Sequence, residues 1–361
     1  MAQQLISKGS GVSPREGGVA LATERLKIAT ILCPVDFSEF SQGAFRFALA
    51  LARHFGSRLL VQHTVQPPMH LFPEEQAVNM SAVQQYFQDQ LEGSREEIHR
   101  MLISNGVEPH EATVVLNQGE VRNHILETIA KEQVDLLVMG THGGKGFNRL
   151  TLGLVADGMT HQTACPMLVI GQPRAGFAAP GEQVTARLKT ILLATDFSAH
   201  SDRALTYALQ WGREWNAKVI VLHAVPELPP AMKGIVDLLR EYNPYFERQV
   251  TDARENIRRL IPEAVQQRCE VAYEVRHGNP KEEILRVAEE KGADLIVMGT
   301  RGGGSTLPWG SVSSAVVPNG RFPVLVVPIP VPGDPSAERH SSSTRPEQVR
   351  PQVAEETLRE R

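Results

Sequence analysis

What this chain lacks narrows its reading first. No apolar stretch approaches the roughly 20 residues that a helix needs to cross a bilayer, so no membrane partner is expected. The N-terminus, Met1-Ala-Gln-Gln-Leu-Ile-Ser-Lys8, has no apolar core, and no signal peptide is expected there. Cysteine occurs only three times, an odd number with no pair at metal-ligand spacing; this argues for a reducing cytoplasm and against a metal or redox site. A formal net charge of -4 and the absence of any Lys/Arg-rich run exclude a nucleic-acid footprint. A Walker-type Gly-Lys-Ser/Thr loop and a Ser-Gly-Gly-x-Asp-Ser pyrophosphatase loop are also missing. No nucleophile and base stand at a recognisable spacing either.

What is present is ordinary in bulk and unusual in arrangement. At 361 residues, 42% apolar and 22% charged, the chain suits a globular protein with two cores. Its organising stretch is Asp135-Leu-Leu-Val-Met-Gly-Thr-His-Gly-Gly144, which returns as Asp294-Leu-Ile-Val-Met-Gly-Thr-Arg-Gly-Gly303. An apolar run too short for a helix, ending in glycines, reads as a buried strand opening into a loop. Glycine there would let the backbone take conformations closed to other residues and approach a ligand closely. Strand, Gly-rich loop and helix in that order can cradle phosphate.

Taken in order, residues 1–25 read as a flexible segment. Ile28–Cys33 predicts a strand, followed by Asp36-Phe-Ser38 and a helix bearing Ala44, Phe47, Ala48, Leu51 and Ala52 on one face. Either Ser38 or Ser41 suits its cap. Leu59–His63 is a second strand, Ser81–Ser104 a long helix, and Thr113–Leu116 a third strand. A helix over 121–131, the organising strand, a helix near 155–163 and a closing strand Pro166–Ile170 complete five mostly parallel strands with helices between. Residues 172–187 read as a linker. The pattern then repeats over 188–328: Asp196-Phe-Ser198, His223, Gly278 and Gly299 lie 159 or 160 residues beyond Asp36-Phe-Ser38, His63, Gly119 and Gly140. Near-constant offsets at four landmarks mean tandem duplication. Residues 329–361 are polar and predicted disordered.

These motifs together resemble the universal stress protein family, over Leu26–Gly171 and again over Leu188–Pro328. The resemblance implies two Rossmann-like domains of the adenine nucleotide α-hydrolase-like type, with ligand over the C-terminal ends of the first and fourth strands. It implies ATP or AMP as cofactor, with magnesium carried by the nucleotide, a role in stress response, and pairing of the two halves through their last strands as an intramolecular pseudo-dimer, with a homodimer as a further option. ATP-binding members carry Gly, two residues, Gly, nine residues, then Gly and Ser or Thr. The first half matches with Gly140, Gly143 and Gly153, but Leu154 replaces the hydroxyl residue. The second keeps Gly299, Gly302, Gly310 and Ser311, yet its spacer is seven residues.

By the same resemblance Asp36 and Asp196 lie near the adenosine, the backbone at Thr64 and Ala224 meets the adenine, and Met139, Met298 and Val312 line the site. Read from chemistry alone, each aspartate equally suits a helix cap. His63 and His223 read as strand-end packing residues, while His142 and its counterpart Arg301 suit either phosphate contact or solvent. Three functions compete: a nucleotide-binding regulatory module, an interaction protein with decayed sites, and a slow ATP hydrolase, for which the sequence offers no catalyst.

Overall fold

The computed structural model describes residues 26–66, 80–142, 152–163, 165–171, 187–226, 243–300, 310–319 and 321–329. The segments expected to be flexible, linking or disordered (1–25, 172–187 and 329–361) lie outside these but for a residue at the margin of the last two. The first half runs β1 (Thr30–Pro34), α1 (Glu39–Phe55), β2 (Arg58–Val65), α2 (Met80–Ser104), β3 (Ala112–Gln118), α3 (Val121–Glu132), β4 (Leu136–Gly140), α4 (Leu154–Gln162) and β5 (Met167–Ile170). The second runs β6 (Thr190–Ala194), α5 (Ala199–Trp215), β7 (Lys218–Val225), α6 (Asn243–Arg259), α7 (Glu263–Gln266), β8 (Val271–His277), α8 (Pro280–Glu290), β9 (Leu295–Gly299), α9 (Ser313–Val316) and β10 (Val324–Val327).

Local chemistry accounts for the helix ends. α1 begins at Ser38, whose side chain accepts from the Ser41 N–H, and stops at Gly56, where φ of 65° suits the residue without a Cβ. α5 repeats this between Ser198 and a left-handed Asn216. Asn279 caps α8, with Pro280 at the first helical position, where its missing N–H costs nothing. α9 gives way to a 3₁₀ turn at Val317–Asn319, because the ring of Pro318 disfavours continued α-helix before it.

The ten strands among the described residues form one sheet in the order β3-β2-β1-β4-β5-β10-β9-β6-β7-β8. Every pairing within a half is parallel, as short apolar strands joined by helices require. The halves meet where β5 and β10 run antiparallel, with Leu168 opposite Leu325 and Met167 opposite Val326. Burial follows the two-residue period of a strand. Ile31, Cys33, Leu168 and Leu325 face the layer built with α1, α2, α5 and α6; Leu32, Met167, Val169 and Val326 face the layer built with α3, α4, α8 and α9. Each apolar layer runs through both halves, so neither half owns a closed core.

A second joint ties the C-terminal ends of α1 and α5. His54 stacks on Trp215 at 4.6 Å and its Nε2 lies 3.0 Å from Glu214. Phe55 meets Trp215 edge-on at 5.3 Å, and Trp215 stacks on Trp211 at 5.0 Å. These ring contacts, with Trp211 buried and Phe55 and Trp215 half-buried, add area and favourable quadrupole contacts at one place.

Within the first half, Arg53 of α1 grips Glu111 before β3 through two bonds of 2.8 and 3.0 Å. That hydrogen bond holds the Glu111 carboxyl down at about 2, below its ordinary 4.5. A depressed acid stabilises the fold above its ordinary value and loses that contribution as pH falls toward the folded one. Glu111→Gln is therefore expected to melt lower than the parent above pH 5, with the gap closing toward pH 2. The pair is partly exposed, so the gap should be small and shrink in high salt. Thermal melts across that range check it, and a gap independent of pH would mean lost packing instead.

Candidate functional site

In each half the strand order reverses between the first and fourth strands, β1 and β4 or β6 and β9, which leaves a crevice at their C-terminal ends. One wall is the turn from the first strand into the helix. In the first half Asp36 Oδ1 accepts from the Ser38 N–H at 3.1 Å and the Ser38 hydroxyl at 2.6 Å; Ser38 in turn caps α1. In the second, Asp196 Oδ1 accepts from Ser198 at 3.1 and 2.5 Å. Neither aspartate is itself the helix cap, which corrects that alternative; each holds the serine that is. Both aspartates are exposed at the mouth.

The second turn is braced more heavily. The Phe197 N–H donates to Thr195 Oγ1 at 3.1 Å, and that hydroxyl donates to Ser201 Oγ at 3.0 Å. The first half has Val35 where the second has Thr195, and a 3.3 Å bond from the Asp36 N–H to Ser41 Oγ stands in place of the threonine's. No motif marks Thr195; its mismatch with Val35 at an otherwise matched position is its one signal in the sequence.

The other wall is the strand-to-loop junction. Gly140 and Gly299 do not hold the conformations reserved for glycine, which corrects the first reason given for them. A Cβ on Gly140 would lie 2.9 Å from the Phe40 carbonyl carbon, and one on Gly299 would lie 2.9 Å from that of His200. Glycine is required there because the first turn of α1 or α5 rests directly on the strand end. Gly143, Gly302 and Arg301 lie outside the described residues. The loops nonetheless close alike: the Gly153 N–H reaches the Thr141 carbonyl at 2.8 Å and the Gly310 N–H reaches that of Thr300 at 2.9 Å.

Beyond the anchor the halves diverge. Leu154 opens α4 and is 90% exposed; its counterpart Ser311 is exposed too, and its hydroxyl has no partner among the described residues. The next serine, Ser313, is buried and donates to the Gly299 carbonyl at 3.0 Å, fixing the strand end. Met139 and Met298 are buried under the crevice, Thr64 is buried, and Ala224 and Val312 are half-buried. Gln62 of β2 buries an amide that donates to Asn117 at 3.0 Å, where the second half has Leu222. His142 is buried against Phe40 at 5.2 Å, so it is not a solvated loop residue. Burial pushes the thiols of Cys33 and Cys165 up, which keeps both as inert hydrocarbon-like groups. Among the described residues no helix is long and apolar enough to span a membrane.

Comparison with known proteins agrees with this architecture. The family model described as "Universal stress protein family" matches residues 27–171 and again 187–328. A universal stress protein of Mycolicibacterium smegmatis is 26% identical over 315 residues, spanning 82% of this chain and 96% of its own. One from Thermus aquaticus is 37% identical over 143 residues, 38% of this chain and 98% of its own. The crystal structure of a universal stress protein from Archaeoglobus fulgidus superposes with a TM-score of 0.56 at 21% identity, over 83% of this chain and 98% of that one, a likeness of fold.

Proposed function

The chain belongs to the universal stress protein family, with two copies of the domain, and on that premise we propose that it is a cytoplasmic regulatory protein that binds ATP or AMP in its second half. The observation that carries this reading is that the exposed Ser311 follows directly on Gly310, whose N–H is bonded to the Thr300 carbonyl at the end of β9, the strand beside β6 and its braced Asp196 turn. Asp196 would take the adenosine side, the backbone at Ala224 the adenine, and Gly299, Gly302, Gly310 and Ser311 the phosphates, with Met298 and Val312 lining the site. Magnesium would enter with the nucleotide.

The first half offers Asp36, Thr64, Met139, Gly140, Gly143 and Gly153 in the same places. Leu154 there puts hydrocarbon where a charged oxygen would need a donor; losing such a bond costs about 1.5–3 kcal/mol. We assign that half a weaker site, and the two domains, 26–171 and 188–328, act as an intramolecular pair across β5 and β10. The second reading, an interaction protein without nucleotide, draws on the same Leu154.

Calorimetric titration of ATP into the parent, Asp196→Ala, Ser311→Ala, Gly302→Val and Asp36→Ala proteins tests the assignment. The second-half changes are expected to weaken binding by about tenfold or more each, and Asp36→Ala to leave it nearly unchanged. Loss through Asp36→Ala alone would move the site to the first half. No heat with the parent, and no nucleotide in the purified protein, would favour the interaction reading.

A further inference from the structure

The residue after each aspartate sits in a conformation it should avoid. Phe37 and Phe197 have φ of 63° and 62°. The left-handed region is disfavoured for a side chain with a Cβ, and it persists only where surrounding contacts over-determine it. Finding the same cost at the same place in both halves calls for a common cause.

The neighbouring strand makes the same contacts to this turn in both halves. The Phe37 ring packs on His63 at 4.6 Å and the Phe197 ring on His223 at 4.3 Å. The Nδ1 atom of His63 lies 2.7 Å from the Val35 carbonyl, and that of His223 lies 2.8 Å from the Thr195 carbonyl. A carbonyl only accepts, so Nδ1 carries the hydrogen and donates it. Burial lowers the affinity of His223 for a second proton, and the neutral ring is the working form. Each histidine is pinned by its own ladder, His63 opposite Leu116 and His223 opposite Val275. The carbonyl it grips belongs to the residue just before the aspartate, and the ring it supports belongs to the residue just after.

We propose that His63 and His223 are positioning residues, posts from the second strand of each half that hold the strained Asp-Phe-Ser turn in the shape that presents its aspartate to ligand. For His223 the ligand part rests on the nucleotide reading above; the hold on the turn does not. Ligand affinity then depends on a side chain that acts through Asp196, and Nδ1 is the atom that matters.

The test compares three variants of the full chain: His223→Asn, which keeps a donor near Nδ1; His223→Gln, which places its amide nearer Nε2; and His223→Leu, which keeps volume only. Hydrogen exchange over residues 195–201 without nucleotide reads the turn, and ATP titration reads presentation. His223→Leu is expected to speed exchange there by about tenfold and weaken ATP by a similar factor. His223→Asn should restore both to within about threefold, and His223→Gln neither. Unchanged exchange in His223→Leu would overturn the proposal, as would rescue of ATP binding by Gln and not by Asn. A parent that binds no ATP would sink the nucleotide reading while the exchange result still decides the hold. Should His223→Leu not fold, His63→Leu read over residues 35–41 decides in its place. The ¹⁵N imidazole shifts of the parent must also report a protonated Nδ1 on both rings, and the other tautomer would overturn the proposal.

Discussion

Leu325→Asp is expected to melt about 10 °C below the parent, or to fail to accumulate as folded protein. Leu325 is fully buried and stands opposite Leu168 in the only antiparallel pairing among the described strands. An unpaired buried carboxylate costs several kcal/mol even if it takes up a proton, and the lost leucine adds roughly 2 kcal/mol of burial. At roughly 2 °C per kcal/mol for a unit of this size, the sum reaches the stated drop. The damage should not stay in the second half, because Leu325 and Leu168 belong to one apolar layer with α1 and α5. Calorimetry of the parent should accordingly show one transition. Leu168→Asp is expected to match Leu325→Asp, and the double variant to lose less than the sum, since the two share a contact. Leu154→Asp is the control, expected within about half a kcal/mol because that side chain is 90% exposed. Two well-separated transitions in the parent, or a Leu325→Asp protein melting within a few degrees of it, would mean that the halves are stable apart.

Gly299→Ala carries the second large effect. The added methyl would stand 2.9 Å from the His200 carbonyl carbon and Cβ and 3.0 Å from its carbonyl oxygen. Backbone atoms cannot rotate aside, so the start of α5 must lift from the strand end. Forcing an extra methyl into such a joint costs about 1–3 kcal/mol. Because α5 begins at Ser198, the Asp196 turn would move with it, and the substitution should also weaken whatever binds in the second crevice. Gly43→Ala supplies the opposite sign: it lies inside α1, nothing stands within 4 Å of its would-be Cβ, and a helix interior prefers alanine by up to about 1 kcal/mol. Denaturant midpoints for the two variants should fall on either side of the parent. A Gly299→Ala protein as stable as the parent would show that the helix does not rest on the strand there.

The duplication, the order of strands and helices in each half and the Asp-Phe-Ser turns were legible in the sequence, because each rests on period, on cap residues or on matched offsets within one stretch of chain. The serine caps at Ser38 and Ser198 needed only their own first turns. The tertiary structure alone decided the rest. Gly140 and Gly299 read as loop-forming glycines until Phe40 and His200 came to rest on them, about 100 residues away in the chain. The brace from Thr195 depends on where Ser201 lies after the helix has turned once. The matching bonds from Gly153 and Gly310 end on the carbonyls of Thr141 and Thr300, which local pattern leaves unassigned. The pairing of Leu168 with Leu325 and the stack of His54 on Trp215 join residues about 160 positions apart. Such contacts are settled by which buried surfaces fit, and a pattern of apolar residues says that a surface is buried without saying against what.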